Sequence, residues 1–183
     1  MDGQITTGGA RGVDMYVEHC CLATHRPCRV LIPPCHPRAK YLTPLYPEQM
    51  TEGRVTLQQA ALDLNRSFSS SITLQYLTRN YHVVKDATLV LVLSFFDDKG
   101  GVVGGSAWAM AMAIRLNKPL YFFDGVSGAW FYWQHGAFVA CQSSAMSDDL
   151  IAPPTLESDH VAIAGTREPN DLIVQALNTL FKL

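Results

Sequence analysis

A chain of 183 residues, 48% hydrophobic and 16% charged, is long enough to bury a core and too apolar for a disordered tail. Its net charge of −2 at pH 7 gives no electrostatic ground for coating a polyanion, so nucleic-acid binding is not expected. The longest apolar-rich run, Ala87–Phe96, is too short to span a bilayer, and no membrane partner is expected.

The polar, glycine-rich opening does not read as a secretory signal. The five cysteines show no secreted framework, so reduced thiols and a cytoplasmic setting are expected. In chain order, Gln4–Thr7 is β-prone and runs into Gly8-Gly9-Ala10-Arg11-Gly12. A helix follows over about Val13–Thr24, with Asp14 in its first turn, where the helix dipole favours an acid. Arg29–Ile32 reads as a second strand, stopped by Pro33-Pro34. From Cys35 to Gly53, Pro37, Pro44 and Pro47 break any periodicity, and an ordered excursion is expected. Helices are expected over Val55–Asn65 and Ile72–Tyr81.

Thr88–Phe96 has the near-continuous apolar character of a central parallel strand. Gly100-Gly101 and Gly104-Gly105 then precede a small-residue helix over Ala107–Leu116, and Pro119–Phe123 reads as another buried strand. The segment 125–159 carries Trp130 and Trp133 and is expected to form a less regular aromatic flank. His160–Ala164 is a strand, Gly165-Thr166-Arg167 a turn, and Pro169–Leu183 an amphipathic helix. Alternating strands and helices predict one α/β domain over 1–183: a Rossmann-like, three-layer α/β/α arrangement around a mainly parallel sheet.

Three of these turns carry a resemblance. Ala164-Gly165-Thr166-Arg167 is similar to the first strand-to-helix turn of the SLOG superfamily, Gly-Ser/Thr-Arg. That superfamily of Rossmann-like proteins includes the LONELY GUY phosphoribohydrolases and the DNA-processing protein A family. Thr7-Gly8-Gly9-Ala10-Arg11-Gly12-Val13-Asp14 resembles its second turn, Ser-Gly-Gly-Ala-x-Gly-x-Asp. Gly104-Gly105-Ser106-Ala107-Trp108 resembles the later Gly-Gly-x-Gly-Thr-like turn. The first two occur in reversed chain order, and placing Leu183 ahead of Met1 restores the family's order, so a circular permutation is expected. The resemblance implies a nucleotide or phosphorylated nucleoside ligand and a homodimer.

The chemistry agrees with that expectation. Glycines at strand-to-helix turns let backbone N–H groups approach a phosphate, and a helix N-terminus adds positive potential. Gly8, Gly9, Gly12, Gly104, Gly105 and Gly165 are the candidate cradle, with hydroxyls from Thr7, Ser106 and Thr166. Arg11 and Arg167 offer forked donors. Arg79 and Asn80 form a second candidate pair just ahead of the central strand; the resemblance places an arginine of this helix in the ligand site, and a cation favourable to a helix C-terminus is the alternative.

Catalysis is less well supplied. The phosphoribohydrolase motif puts a glutamate one turn into the helix after its glycines, whereas Ser106–Ala113 contains no carboxylate. Asp14 is the best-placed substitute, with Glu18, Asp97, Asp98, Asp124 and Glu168 behind it, although an acid in a first turn also serves as a cap or dipole partner. A sensor without turnover and an N-glycosidic hydrolase therefore stay side by side, with Arg79 and Asp14 as catalytic candidates.

Cys35 and His36 follow the second strand and either line the pocket or act as nucleophile and base. Zinc is not expected, because the cysteines and histidines between His19 and His36 lack paired spacing, and no resident cofactor is expected. The aromatic run Trp130-Phe131-Tyr132-Trp133 with Phe138 supports a rival reading as an interaction module.

Overall fold

The structure is a computed structural model that describes residues 3–68, 70–142 and 152–183. It is a Rossmann-like α/β fold. Seven strands, β1 (Gln4–Thr7), β2 (Cys28–Val30), β3 (Leu89–Ser94), β4 (Leu120–Asp124), β5 (Ala129–Gln134), β6 (Ala137–Ala140) and β7 (His160–Gly165), lie in the order β2-β1-β7-β3-β4-β5-β6. The first five in that order are parallel, and β5 and β6 close one end antiparallel.

The helices are α1 (Val13–Ala23), α2 (Pro47–Glu52), α3 (Arg54–Asp63), α4 (Ser71–Val84), α5 (Ser106–Arg115) and α6 (Asp171–Phe181). One core, on the face of α1 and α6, gathers Ile5, Val17, Leu91, Ile163, Ile173 and Leu177. The other, under α3, α4 and α5, gathers Leu57, Val84, Val90, Val92, Met112 and Phe122. Adjacent residues of β3 therefore serve opposite layers, and all six are buried, as a strand covered on both faces requires. In α5 the alanines 107, 109, 111 and 113 are all buried, and their small side chains let this helix pack between the sheet and α3 and α4.

Several boundaries differ from the sequence reading. The second strand is Cys28–Val30; its pairing with β1 ends at Thr7–Val30, although Leu31 and Ile32 remain buried. The proline-broken excursion holds a short 3₁₀ turn, Pro37–Lys40, and α2, which Pro47 opens. Helix α4 continues three residues past Tyr81, because Val83 and Val84 still bury their side chains in the core.

The largest difference is in the aromatic flank. Its Trp130–Trp133 run forms β5, which turns through His135 (φ 50°) and Gly136 (φ 84°) into β6. Two positive φ angles are what a two-residue hairpin turn of the favoured hand requires. The strand is hard to recognise because aromatics occupy both faces: Phe131 and Trp133 pack on the α5 side and Trp130 on the α6 side. Residues 143–151 of the expected flank lie outside the described residues.

Candidate functional site

The strand order places β1, β7 and β3 side by side, so the turns β1–α1, β7–α6 and β3–α5 share the C-terminal edge of the sheet. Ligands of open α/β sheets collect at this edge. The three glycine clusters, distant in sequence, are thereby brought together. The first two interlock with each other and with the end of β3: Val13 N–H donates to Thr166 O (3.0 Å), and Thr166 N–H donates to Leu93 O (2.9 Å). A methyl on Gly165 would collide with Val13 and the Leu93 carbonyl, and one on Gly12 with the Thr166 carbonyl. Gly12 also sits at φ +82° and Gly9 at φ +67°, where side-chain-bearing residues are strained.

Beneath the first turn lies a buried ion pair. Arg79 Nη1 is 3.4 Å from Asp14 Oδ2, with side chains 6% and 5% exposed. Asp14 Oδ2 also accepts the Ala10 N–H at 3.2 Å. Asp14 is thus neither the helix N-cap, which is Gly12, nor a solvent-facing dipole partner; it joins the glycine turn to α4. Arg79 lies five residues before the end of α4 and is not a C-terminal cation, because its guanidinium fills the space a Gly8 side chain would need. Thr7 Oγ1, Asp14 Oδ1 and Arg79 Nε are buried there without a well-formed hydrogen bond among the described residues, although the Thr7 hydroxyl lies near enough to act on Asp14. Such orphans are costly, and three at one place single it out.

Burial pushes the Asp14 carboxyl above its ordinary value, against the pull of Arg79 and the Ala10 N–H. Burial likewise works against the Arg79 charge, and Asp14 opposes it. The N–H groups of Gly9, Arg11 and Gly12 have no backbone partner among the described residues. Arg11 is exposed at the same turn, and Arg167 is exposed at the neighbouring one.

The wall beside this turn comes from residues 33–38. Arg38 forms a two-pronged bridge to Glu18 of α1 at 2.7 and 2.6 Å, and Cys35 N–H donates to Gln75 Oε1 of α4 at 3.3 Å. The loop is therefore tied to a helix at each end. His36 Nδ1 accepts the Arg38 N–H at 3.1 Å, and its ring meets Tyr76 edge-on at 5.8 Å. Burial, with the charges of Arg38 and Arg79, holds the His36 imidazole below its ordinary value. Burial raises the Cys35 thiol. The raised Cys35 thiol thus stands beside an imidazole whose Nδ1 already accepts the Arg38 N–H.

The third turn is built differently. Gly104, at φ +69°, and Gly105 are exposed, with nothing within 4 Å of where a Cβ would stand. Asn80 Nδ2 reaches Gly105 O at 3.4 Å, and Ser106 Oγ bonds Ser94 Oγ and Val103 O, both at 2.9 Å. Asn80 and Ser106 are thus occupied in holding the turn.

The remaining carboxylates are spoken for or exposed. Glu18 holds Arg38, and Asp97 accepts the N–H groups of Lys99 and Gly101 within its own loop. Asp98 and Glu168 are exposed. Asp124 accepts Ser127 N–H (2.9 Å), Ser127 Oγ–H (2.8 Å), Phe96 N–H (3.2 Å) and Val126 N–H (3.3 Å). Burial works to raise that carboxyl, but the four donors together hold it below its ordinary value.

Residue-by-residue reading of the sequence missed Tyr76, Gln75 and the Arg38–Glu18 clamp. Tyr76 stands three residues before Arg79, on the same face of α4, and that spacing was the available signal. No three metal-ligating side chains converge among the described residues. A cleft of about 230 Å³ between α6 and residues 153–157 is lined by Arg26, Trp130, Leu156 and Leu180 and shares no residue with the glycine turns. No family model, curated protein or solved structure matches the chain. Among the described residues, no helix is long and apolar enough to cross a membrane.

Proposed function

We propose that the chain binds a nucleotide or a related phosphorylated nucleoside at the shared edge of β1, β7 and β3, as a sensor. The observation that carries this reading is the Gly8–Gly12 turn, braced over the buried Arg79–Asp14 pair, in which the N–H groups of Gly9, Arg11 and Gly12 have no backbone partner among the described residues. A phosphate at this turn would take those N–H groups, the positive end of α1 and the forked donors of Arg11 and Arg167. Buried charge spent on bracing a loop costs stability, and a site that must keep its shape for an anion gives a reason for that cost.

The strand order supports the resemblance to the SLOG superfamily and its circular permutation. Counted from β7, the order β2-β1-β7-β3-β4 becomes 3-2-1-4-5, that of dinucleotide-binding sheets. A gene rearranged to begin at His160 and run from Leu183 into Gly3 is expected to give the same far-UV spectrum and cooperative unfolding. A chain that fails to fold from that gene counts against the permutation. The family's homodimer belongs to the same reading, and light scattering on the purified protein tests it.

One observation favours turnover. Asp14 is the carboxylate bonded to the glycine turn itself, through the Ala10 N–H, its burial favours the protonated form, and N-glycosidic hydrolysis of a nucleoside monophosphate needs a general acid. Against it stands α5, whose Ser106–Ala113 turns carry no glutamate.

Thermal unfolding with AMP, UMP, ADP, ATP and ribose 5-phosphate tests binding. A ligand at about a hundred times its Kd stabilises by roughly 2.7 kcal/mol, a shift of several degrees. The reading expects that shift from at least one phosphorylated compound and fails if none produces it. Free base released from AMP by the native protein, and lost in Asp14→Asn, would move the reading from sensor to hydrolase.

A further inference from the structure

We infer that Tyr76, with His36 beside it, seats the ring of the ligand, so that the site selects a nucleoside phosphate over a bare sugar phosphate. This rests on the reading of the glycine turns as a phosphate site and assigns the part of the ligand those turns leave unrecognised.

Tyr76 lies on α4 one turn ahead of Arg79, and that spacing points both side chains to the same side of the helix. Arg79, one turn along that face, reaches under the first turn, where its guanidinium occupies the space a Gly8 side chain would need. Cys35 is the neighbour of Tyr76 on the loop side, and His36 meets the Tyr76 ring edge-on at 5.8 Å and 62°. Arg38, on the same loop, comes within 3.6 Å of where a Gly9 Cβ would stand, so the loop carrying His36 borders the turn assigned to the phosphate.

Two half-buried aromatic rings at the mouth of a polar site are not explained by core packing. Neither belongs to the two apolar cores, whereas Phe122, Phe123, Trp130, Phe131, Trp133 and Phe138 all belong to or pack on them. The loop carrying His36 is tied down on both sides, by Arg38 to Glu18 and by Cys35 to Gln75, so the ring is presented in a fixed place without a ligand. A half-buried aromatic pair beside the turn fits a nucleobase, because base–aromatic stacking is sequence-tolerant. A sugar phosphate has nothing to place there.

The test measures AMP, UMP and ribose 5-phosphate by calorimetric titration against the native protein, Tyr76→Ala, Tyr76→Phe and His36→Ala. The native protein is expected to bind a nucleoside monophosphate more tightly than ribose 5-phosphate. Tyr76→Ala should weaken the nucleotide by about tenfold or more, as loss of a stacking partner does. It should leave ribose 5-phosphate unchanged, which also certifies that the variant is folded. Tyr76→Phe should keep the nucleotide, and His36→Ala should fall between. Equal binding of AMP, UMP and ribose 5-phosphate by the native protein overturns the ring seat while sparing the phosphate site. Equal weakening of nucleotide and sugar phosphate by Tyr76→Ala does the same, making Tyr76 a packing residue. If the native protein binds none of the three, the ring seat falls, and the phosphate reading falls with it when ADP and ATP also fail to shift the unfolding.

Discussion

The β1–α1 and β3–α5 turns look alike as strings of letters, since each is a glycine pair leading into a helix. In space they are opposites. Around Gly8, Gly9 and Gly12 the absence of side chains is forced, by the Arg79 guanidinium, by Val30 and Ile32, and by the Thr166 carbonyl. Around Gly104 and Gly105 there is open solvent, and only Gly104 has a backbone angle that calls for glycine. The first turn is a machined part and the second a loose one. A glycine count cannot separate them; what fills the missing Cβ positions can.

The contrast breaks most sharply at the ion pair. Asp14→Leu leaves the Arg79 charge buried and unpaired, and urea unfolding should show a loss of about 3–5 kcal/mol. Arg79→Met alone should cost a comparable amount, whereas Asp14→Leu combined with Arg79→Met should recover most of the loss. A double variant as unstable as the sum of the singles would mean that the two groups do not act as a unit.

Next come the glycines of the braced turn. Gly8→Ala and Gly12→Ala should each cost roughly 1–3 kcal/mol through overlap and backbone strain, read as a fall in urea midpoint at constant slope.

Asp124 sharpens the contrast from another side, as a buried aspartate that braces a turn with four donors and no counter-cation. Its folded carboxyl is held below its ordinary 3.8, so its contribution is fully present above that pH. As pH falls below 3.8 the unfolded chain takes up the proton first, and the support is withdrawn as pH drops through the folded value. Asp124→Asn should therefore cost about 1–2 kcal/mol at pH 7, and its deficit against the native protein should shrink with acid. A deficit independent of pH would assign the role to packing. The smallest effect belongs to the loose turn: Gly105→Ala should be neutral or add up to about 1 kcal/mol by restricting the unfolded chain, visible as a small rise in Tm.

Much of this architecture could be read from residues because it is locally encoded. The unbroken apolar run of β3 and the helical spacing of Leu177, Leu180 and Phe181 each state their element within a few residues. The β5–β6 hairpin escaped because aromatics on both faces erase the alternation that marks a half-buried strand. The candidate glycines could be named because turns need them, and the sheet order then made them neighbours. The Arg79–Asp14 pair joins positions 65 residues apart, and the Tyr76–His36 contact depends on a proline-broken loop; neither spacing has a local signature.

The place of β7 has a further consequence, in time. Among the described strands it comes last in the chain, yet it lies between β1 and β3 and touches both. At about 5–20 residues per second, β3 leaves the ribosome several seconds before β7 arrives. Through that interval the β1–β2 ribbon and the β3–β4 ribbon have no strand in common, and each presents a bare apolar flank. The protein is thus born as two half-sheets awaiting a keystone. A released chain truncated before residue 160 should engage a chaperone, whereas one that includes β7 and α6 should let it go.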